Sequence, residues 1–267
     1  MEKFTLTLLY VLIVTNLYVA ILYFRAPKGD RNDPPVIKSR IVRVSCFTTV
    51  VIIVTPFVLM YIGSASNVND AYEILGFPKL DLKCLWQMAK TLALFAWLFM
   101  GPLIHYSFEG EISDLHESKL AIWRDLVIAP ITEEIVYTSL SLAPFLAIIP
   151  ENEKLLYLTP LLFGSAHLHH FYTMTTRTNP PPNPIGASII ICLFQLLYTT
   201  LFGYLTNRVF VQTNNVWCCA LAHAFCNYLG FPILDIGMYY GNFIRILYWL
   251  SLVVGIIGFT SFFALLN

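Results

Sequence analysis

Pro130-Ile-Thr-Glu-Glu-Ile-Val-Tyr-Thr138 places two adjacent carboxylates inside a run that is otherwise apolar enough to cross a bilayer. An ionisable side chain at the bilayer centre costs at least about 2.5 to 3.5 kcal/mol on insertion scales, so Glu133 and Glu134 are not there for stability. They need polar partners from other helices. Candidate partners lie in two further apolar stretches, around His167 and around His223. The stretch therefore predicts a helical membrane protein built around a buried polar site.

The composition supports a membrane protein. The chain has 267 residues, of which 57% are hydrophobic and only 12% are charged, and its mean hydropathy is +0.68. This is too little charge to solvate a globular protein of that size. Because the formal net charge is zero and the sequence has no basic stripe or nucleic-acid motif, we expect no nucleic-acid partner. We treat residues 1–267 as a single transmembrane domain, with the motifs in a core of about 124–227.

The pattern of apolar runs predicts an all-α, polytopic helical bundle with about eight transmembrane helices. The fourth run is longer than one crossing requires and contains Pro130 and Pro144, so a broken or kinked helix is expected to carry the Glu-Glu motif. Proline is favoured at the first position of a helix, which would place Glu133 near a helix start. The expected spans are about Phe4–Phe24, Val42–Ile62, Leu85–Tyr106, Ile122–Ile149, Leu155–Tyr172, Ile185–Phe210, Val216–Tyr240 and Ile244–Leu266.

Charge in the loops predicts the orientation. The segment Arg25 to Arg43 contains six Lys and Arg residues against two Asp residues. Because positively charged loops remain in the cytosol, this segment is expected on the cytosolic side. The polar loop Ser64 to Lys83 would then lie on the opposite side, and the proline-rich connection Thr173 to Pro184 would be cytosolic.

The buried polar residues suit hydrolysis of an amide. A carboxylate and an imidazole in a wet cavity can activate water together, and we assign Glu133 and His167 to that task. A second histidine and an amide can donate hydrogen bonds to a developing oxyanion, and we assign His223 and Asn227 to it. The spacing of His223 and Asn227 places them on one helical face. The sequence contains neither His-Glu-x-x-His nor Gly-x-Ser-x-Gly, so other hydrolase classes have little support.

Three motifs in this order resemble the CaaX-protease and bacteriocin-processing (Abi) family: Glu133-Glu134, Phe163-x-x-x-His167 and His223-x-x-x-Asn227. Within that family, the run from Arg124 to Glu134 and the run from Phe163 to His170 resemble the eukaryotic type II CaaX prenyl endopeptidases. By position, Glu133 matches the catalytic glutamate of the family and Glu134 its companion. His167, His223 and Asn227 match the residues of the second and third motifs.

The resemblance also implies a biological setting. It implies a multi-pass enzyme of the endoplasmic reticulum membrane whose active site opens to the cytosol. Such an enzyme removes the last three residues of farnesylated or geranylgeranylated CaaX proteins, such as Ras-like small GTPases, and leaves a prenylcysteine. Its partners would be these proteins and the lipid bilayer.

This chain departs from the family pattern at Thr138. The first motif of the family usually ends in Arg, which would plausibly pair with a buried glutamate. Because Thr138 stands in that position, we expect Glu134 to be a supporting residue, either protonated or paired with a histidine.

Several alternatives are compatible with the residues. Glu133, His167 and His223 are also the ligand types of a catalytic zinc site. Asn227 is a poor zinc ligand, so we expect activity without a cofactor and keep a zinc-dependent protease as an alternative. A catalytically silent scaffold of the same fold is a second alternative, indicated only by Thr138. A proton-coupled transporter is less favoured, because the two halves of the chain lack paired broken segments.

Overall fold

The computed structural model describes residues 2–109, 118–150, 152–176, 181–233 and 241–266. Within these ranges the chain forms helices and irregular segments and has no strand, which confirms the all-α prediction. A 3-10 turn, Phe263–Leu266, follows the last helix. The helices are α1 (Glu2–Tyr23), α2 (Pro34–Tyr61), α3 (Val68–Ile74), α4 (Leu82–Leu98), α5 (Met100–Glu109), α6 (Lys119–Leu146), α7 (Leu155–Leu158), α8 (Pro160–Ala166), α9 (His169–Thr176), α10 (Ile185–Thr213), α11 (Val216–Leu229) and α12 (Asn242–Phe262).

Among the described residues, five helices are long and apolar enough to cross a membrane: α1, α2, α6, α10 and α12 with its final turn. Helices α4 and α5 add a sixth if the 73° bend between them lies within one span. The protein is therefore a multi-pass membrane protein, but the predicted count of about eight spans is not confirmed. The predicted fifth span is divided into the short helices α7, α8 and α9, and α11 is apolar but has only 14 residues.

Two sequence predictions lie partly outside the described residues. The predicted seventh span continues through residues 234–240, and the predicted cytosolic connection Thr173–Pro184 includes residues 177–180. In the described part of that connection, the chain remains helical to Thr176.

Helix α6 carries the Glu-Glu motif, and its α-helical hydrogen bonding is interrupted twice. The interruptions are π-helical segments at Arg124–Ile128 and Glu134–Ser139. The expected break thus takes the form of local π turns within one 28-residue helix. The expectation that Glu133 lies near a helix start is wrong, because α6 begins at Lys119 and passes through Pro130 without ending.

The first π segment explains how α6 accommodates Pro130. The N–H of Ala129 donates to the carbonyl of Arg124, five residues earlier. The next donor in this π pattern would be residue 130, but proline has no N–H. Residue 130 therefore cannot donate to the carbonyl of Asp125, and π segments of this kind occur often at functional sites.

Helix α6 is the most deeply enclosed of the candidate spans. In its most apolar window 67% of the residues are buried, against 17% in that of α10. Tyr18 of α1 lies within hydrogen-bond distance of Thr132, with 2.8 Å between the two hydroxyl oxygens. The hydroxyl of Tyr137 donates to the carbonyl of Thr15 over 3.0 Å. The first helix thus holds the central helix on both sides of the motif.

Helix α8, which leads to His167, packs closely against α10. A methyl group added at Gly164 would lie 2.9 Å from the carbonyl oxygen of Leu196 and would also meet the hydroxyl of Thr200. Gly203 makes a similar approach to Pro160 from the α10 side. Glycine at these positions allows the backbones to approach, as is common between membrane helices. This contact fixes the position of His167.

Candidate active site

Glu134 is enclosed and has a hydrogen-bond partner on each carboxylate oxygen. Its Oε1 lies 2.8 Å from Nδ1 of His223, and its Oε2 accepts a bond of 2.7 Å from the hydroxyl of Thr138. Only 2% of the residue is exposed. An ionised carboxylate only accepts, so Nδ1 of His223 carries a hydrogen. We expected Glu134 to be either protonated or paired with a histidine, and in the structure it is paired with His223.

Thr138, at the sequence position where the family motif usually has Arg, makes two hydroxyl contacts. Its hydroxyl lies 3.1 Å from the hydroxyl of Thr206 on α10 as well as within bonding distance of Glu134. A short chain of hydroxyl groups therefore supports the buried carboxylate from α10. No guanidinium is needed to fill this part of the site.

Glu133 faces a cavity of about 360 Å³. About one fifth of its side chain is exposed (21%), and its Oε2 lies 3.8 Å from Nε2 of His223. His167, His223 and Asn227 line the same cavity, whereas Glu134 lies behind His223 and is not part of the lining. The structure thus brings the four predicted catalytic residues to one cavity and places the predicted supporting residue outside it.

The orientation of His167 is set by its own helix. Its Nδ1 lies 2.9 Å from the carbonyl oxygen of Phe163. A carbonyl only accepts, so Nδ1 carries the hydrogen and Nε2 keeps a lone pair. The ring of Phe163 packs edge-on against His167 and against His223, and Phe202 covers the other side of His223. These rings make the surroundings of both imidazoles apolar.

Asn227 bonds to the backbone carbonyl to which Pro130 cannot donate. Its Nδ2 donates to the carbonyl oxygen of Asp125 over 2.9 Å. Pro130 therefore has a second consequence, because it leaves an acceptor on α6 that fixes the amide of Asn227. An amide nitrogen carries two hydrogens, so one remains for a substrate.

Sequence reasoning missed the charged residues that complete the cavity lining. Arg31, Arg40, Arg124 and Asp125 lie there, together with His169 and His170. The excess of Lys and Arg between residues 25 and 43 was a signal for two of the arginines, but it was used only to predict orientation. The run from Arg124 to Glu134 contained the other two residues without indicating their contacts.

The zinc-dependent alternative took Glu133, His167 and His223 as the ligands. Across the described ranges, no group of three His, Cys, Asp or Glu side chains is placed to hold a metal. The two ring nitrogens of His223 lie beside two carboxylates, at 2.8 Å and 3.8 Å. A zinc-ligating histidine also commonly donates its other ring N–H to a carboxylate, so activity without a metal stays a prediction.

Fold and site together define a multi-pass helical membrane protein in which paired glutamates and two histidines meet around one internal cavity. A family model described as type II CAAX prenyl endopeptidase Rce1-like matches residues 116–229. No solved structure matches the chain.

Curated relatives extend the similarity to most of the chain. A CAAX prenyl protease 2 from Saccharomyces cerevisiae is 33% identical over 255 residues, which cover 85% of this chain and 80% of the relative. A probable CAAX prenyl protease 2 from Schizosaccharomyces pombe is 32% identical over 258 residues, covering 92% and 88%. The Homo sapiens CAAX prenyl protease 2 is 29% identical over 232 residues, covering 80% and 68%. The chain belongs to the type II CAAX prenyl endopeptidase family and is a CaaX prenyl endopeptidase.

Proposed function

We propose that this endopeptidase hydrolyses the peptide bond after the prenylcysteine of CaaX proteins and releases the C-terminal tripeptide, with Glu133 activating the attacking water. The observation that carries the proposal is the difference between the two glutamates at His223. Glu134 is hydrogen-bonded to His223 and enclosed, whereas Glu133 faces the other ring nitrogen from within the cavity.

Glu133 and His167 act on the water. Glu133 accepts a proton from it, and the water oxygen forms a bond to the carbonyl carbon of the substrate. His167 holds its Nδ1 hydrogen on the carbonyl of Phe163, so its Nε2 can accept a hydrogen bond from the same water. The apolar rings around the site strengthen these interactions because they lower the local dielectric.

His223 and Asn227 stabilise the oxyanion of the tetrahedral intermediate. Carboxylates beside both nitrogens of His223 favour the doubly protonated ring, whose Nε2–H can donate to the oxyanion. The free hydrogen of Asn227 Nδ2 supplies the second donor. When the carbon–nitrogen bond breaks, Glu133 returns its proton to the leaving amine, and a prenylcysteine carboxylate and a tripeptide result.

Farnesylated and geranylgeranylated proteins, including Ras-like small GTPases, are the proposed substrates. The similarity to CAAX prenyl proteases from two yeasts supports prenylated CaaX proteins as the substrate class. A prenylated tail needs an apolar route beside a polar cleft. Helix α10 offers both, because it is largely exposed on its apolar faces while its Gln195 and Tyr198 line the cavity.

We place the enzyme in the endoplasmic reticulum membrane with the cavity open to the cytosol. Arg31 and Arg40 belong to the positively charged segment that is expected in the cytosol, and both line the cavity. Cysteines introduced in the segment 25–43 should react with a cytosolic, membrane-impermeant reagent, and cysteines in Ser64–Lys83 should not. The reverse pattern would overturn this orientation.

The proposed mechanism needs no metal. Elemental analysis of active, purified protein should find less than stoichiometric zinc, and chelation should leave activity intact. The contrary result would be stoichiometric zinc, loss of activity when the zinc is removed, and recovery when zinc is added back. Glu133, His167 and His223 would then be zinc ligands.

The function is tested by the release of a tripeptide from a farnesylated CaaX peptide by purified protein. Wild type should release it, and Glu133→Ala should lose nearly all turnover while it elutes and melts as wild type does. Glu153→Ala, which removes an exposed glutamate, is the matched control and should retain full activity. Cleavage by Glu133→Ala at the wild-type rate would refute the mechanism.

A further inference from the structure

The catalytic cavity also carries guanidinium groups for which the mechanism has no use. Arg31 lies in the segment between α1 and α2, Arg40 lies on α2, and Arg124 lies on α6. All three line the cavity that contains Glu133. Arginines in an active site that do not take part in proton transfer are commonly used to bind anions.

Arg124 is fully engaged in holding the protein together. Its Nε and one Nη donate to the two oxygens of Asp125 over 2.6 Å and 2.8 Å, in a bidentate pair. Its other Nη donates to the carbonyl of Arg31 over 2.9 Å and also contacts Asn32. Arg124 thus ties the segment between α1 and α2 to the central helix, and it uses the carboxylate of Asp125 for that purpose.

Arg31 and Arg40 lack comparable partners. Arg31 Nη2 is 4.0 Å from the nearest oxygen of Asp125, beyond hydrogen-bond distance, and about half of its side chain is exposed (47%). Among the described residues, Nε of Arg40 is buried and has no hydrogen-bond partner. A buried donor on a charged group is costly to leave unpaired, so a ligand that supplies acceptors would be favoured there.

The charges around the cavity also favour binding of an anion. The pKa of Arg31 is lowered by burial and then by the neighbouring Arg124, while Asp125 and Glu133 oppose that change. Because Asp125 is paired with Arg124 and Glu133 is needed for catalysis, the cavity has positive charge in excess. It therefore favours a ligand that brings one negative charge.

A CaaX substrate brings such a charge at a fixed place. Its last residue has a free α-carboxylate, which lies three residues beyond the bond that is cleaved. Three extended residues span about 10 Å, which a cavity in the size range of ligand sites can contain. We propose that Arg31 and Arg40 bind this C-terminal carboxylate and so place the scissile bond against Glu133. The inference rests on the proposed function and adds the group by which the substrate's end is recognised.

The test compares two farnesylated peptides that differ only in the C-terminal group: one ends in a free carboxylate and the other in an amide. Wild type should favour the acid about 10- to 100-fold in kcat/KM, since a charge-assisted pair is lost with the amide. In Arg40→Gln this ratio should fall at least tenfold, mainly through a higher KM for the acid. Arg31→Gln should also reduce this ratio. Because Arg31 is the more exposed side chain, its variant replaces Arg40→Gln in the test if Arg40→Gln does not fold.

Two further variants sharpen the comparison. Arg40→Lys keeps the charge and loses the planar donor pair, so it should retain part of the preference. Lys38→Gln removes a charge from an exposed position on the same helix and should leave the ratio unchanged. An acid-to-amide ratio that stays at the wild-type value in both Arg31→Gln and Arg40→Gln would overturn the inference.

Equal losses on both peptides would also overturn it, because they would indicate a general role such as contact with a lipid headgroup. Wild type that cleaves neither peptide would overturn the proposed function itself. The two failures are therefore distinguishable, since the second appears without any substitution at an arginine.

Discussion

Glu133 and Glu134 are chemically identical neighbours, yet the fold gives them opposite surroundings. Adjacent residues on a helix point about 100° apart, so one can face a cavity while the other faces packed helices. Glu133 is partly exposed beside Nε2 of His223, and Glu134 is 2% exposed and bonded to Nδ1 of the same ring. One histidine thus lies between a carboxylate in the cavity and a carboxylate enclosed by packing, and this difference is why we propose a reactive role for Glu133 and a supporting role for Glu134.

The same comparison separates two kinds of residue around the site. Residues on the Glu133 side should affect turnover without much effect on stability. Substitutions on the Glu134 side should also lower stability, because they leave the buried carboxylate of Glu134 without a hydrogen-bond donor. Substitutions at the two histidines, Asn227 and Thr138 test this separation.

The largest combined effect is expected from the two histidines. His223→Ala and His167→Ala should each remove nearly all turnover, because general acid–base and oxyanion groups each contribute about 10²-fold or more. Only His223→Ala should also destabilise the protein, by about 3 to 5 kcal/mol, since it leaves Glu134 buried without its partner. Tripeptide release and thermal unfolding in the same detergent measure both quantities. Equal stability of the two variants would contradict the assignment of His223 to Glu134.

Asn227→Ala should reduce kcat about 10²- to 10³-fold and leave measurable activity, as the loss of one oxyanion donor typically does. Asn227 also bonds to the carbonyl of Asp125, so it could have a purely structural role, and that role predicts a different result. If Asn227 only satisfied that carbonyl, the variant would lose about 1 kcal/mol of stability and keep its kcat. Parallel measurements of kcat and unfolding temperature decide between the two.

Thr138 tests the Glu134 side in isolation. Thr138→Val preserves the shape but removes the hydroxyl that donates to Glu134, and should cost about 1.5 to 3 kcal/mol of stability. Thr138→Ser keeps the hydroxyl and should retain most of the wild-type stability. Thr138→Arg, which restores the usual family residue, should give no gain in turnover and should destabilise, because the site is packed for a hydroxyl and a methyl group. A clear gain in turnover would show that the site still requires the guanidinium.

The smallest effect concerns the packing that positions His167. Gly164→Ala forces α8 away from the carbonyl of Leu196 and should cost about 1 to 3 kcal/mol, with a drop in kcat from the displaced imidazole. Gly186→Ala is the control, because nothing lies within 4 Å of an added methyl group there. It should be neutral or slightly stabilising. A Gly164→Ala variant as stable and active as the control would rule out the close contact.

The sequence predicted part of the candidate site, because an ionisable residue in an apolar span carries a clear signal. The glutamates and the motif histidines stood out for that reason, and the family resemblance supplied their order. Contacts between distant segments gave no such signal. Nothing in the spacing connects Asn227 to the carbonyl of Asp125, or Arg31 to the cavity that Glu133 faces.

The number of spans was harder to predict for a related reason. Hydropathy counts apolar residues and does not register where the backbone turns. It therefore cannot distinguish α4 and α5, with 73° between them, from one straight span. It also does not register the breaks at Thr159 and at His167–Leu168, which divide the predicted fifth span into α7, α8 and α9.

The most direct test of the central claim is a comparison of Glu133→Gln with Glu134→Gln in kcat for tripeptide release from a farnesylated CaaX peptide, on protein of verified unfolding temperature. Both changes remove one charge and keep the shape. Glu133→Gln should lower kcat by about 10³-fold or more and leave the unfolding temperature near that of wild type, because the residue acts on water. Glu134→Gln should keep substantially more activity and unfold at a lower temperature. Loss of activity in Glu134→Gln with near-normal activity in Glu133→Gln would contradict the account.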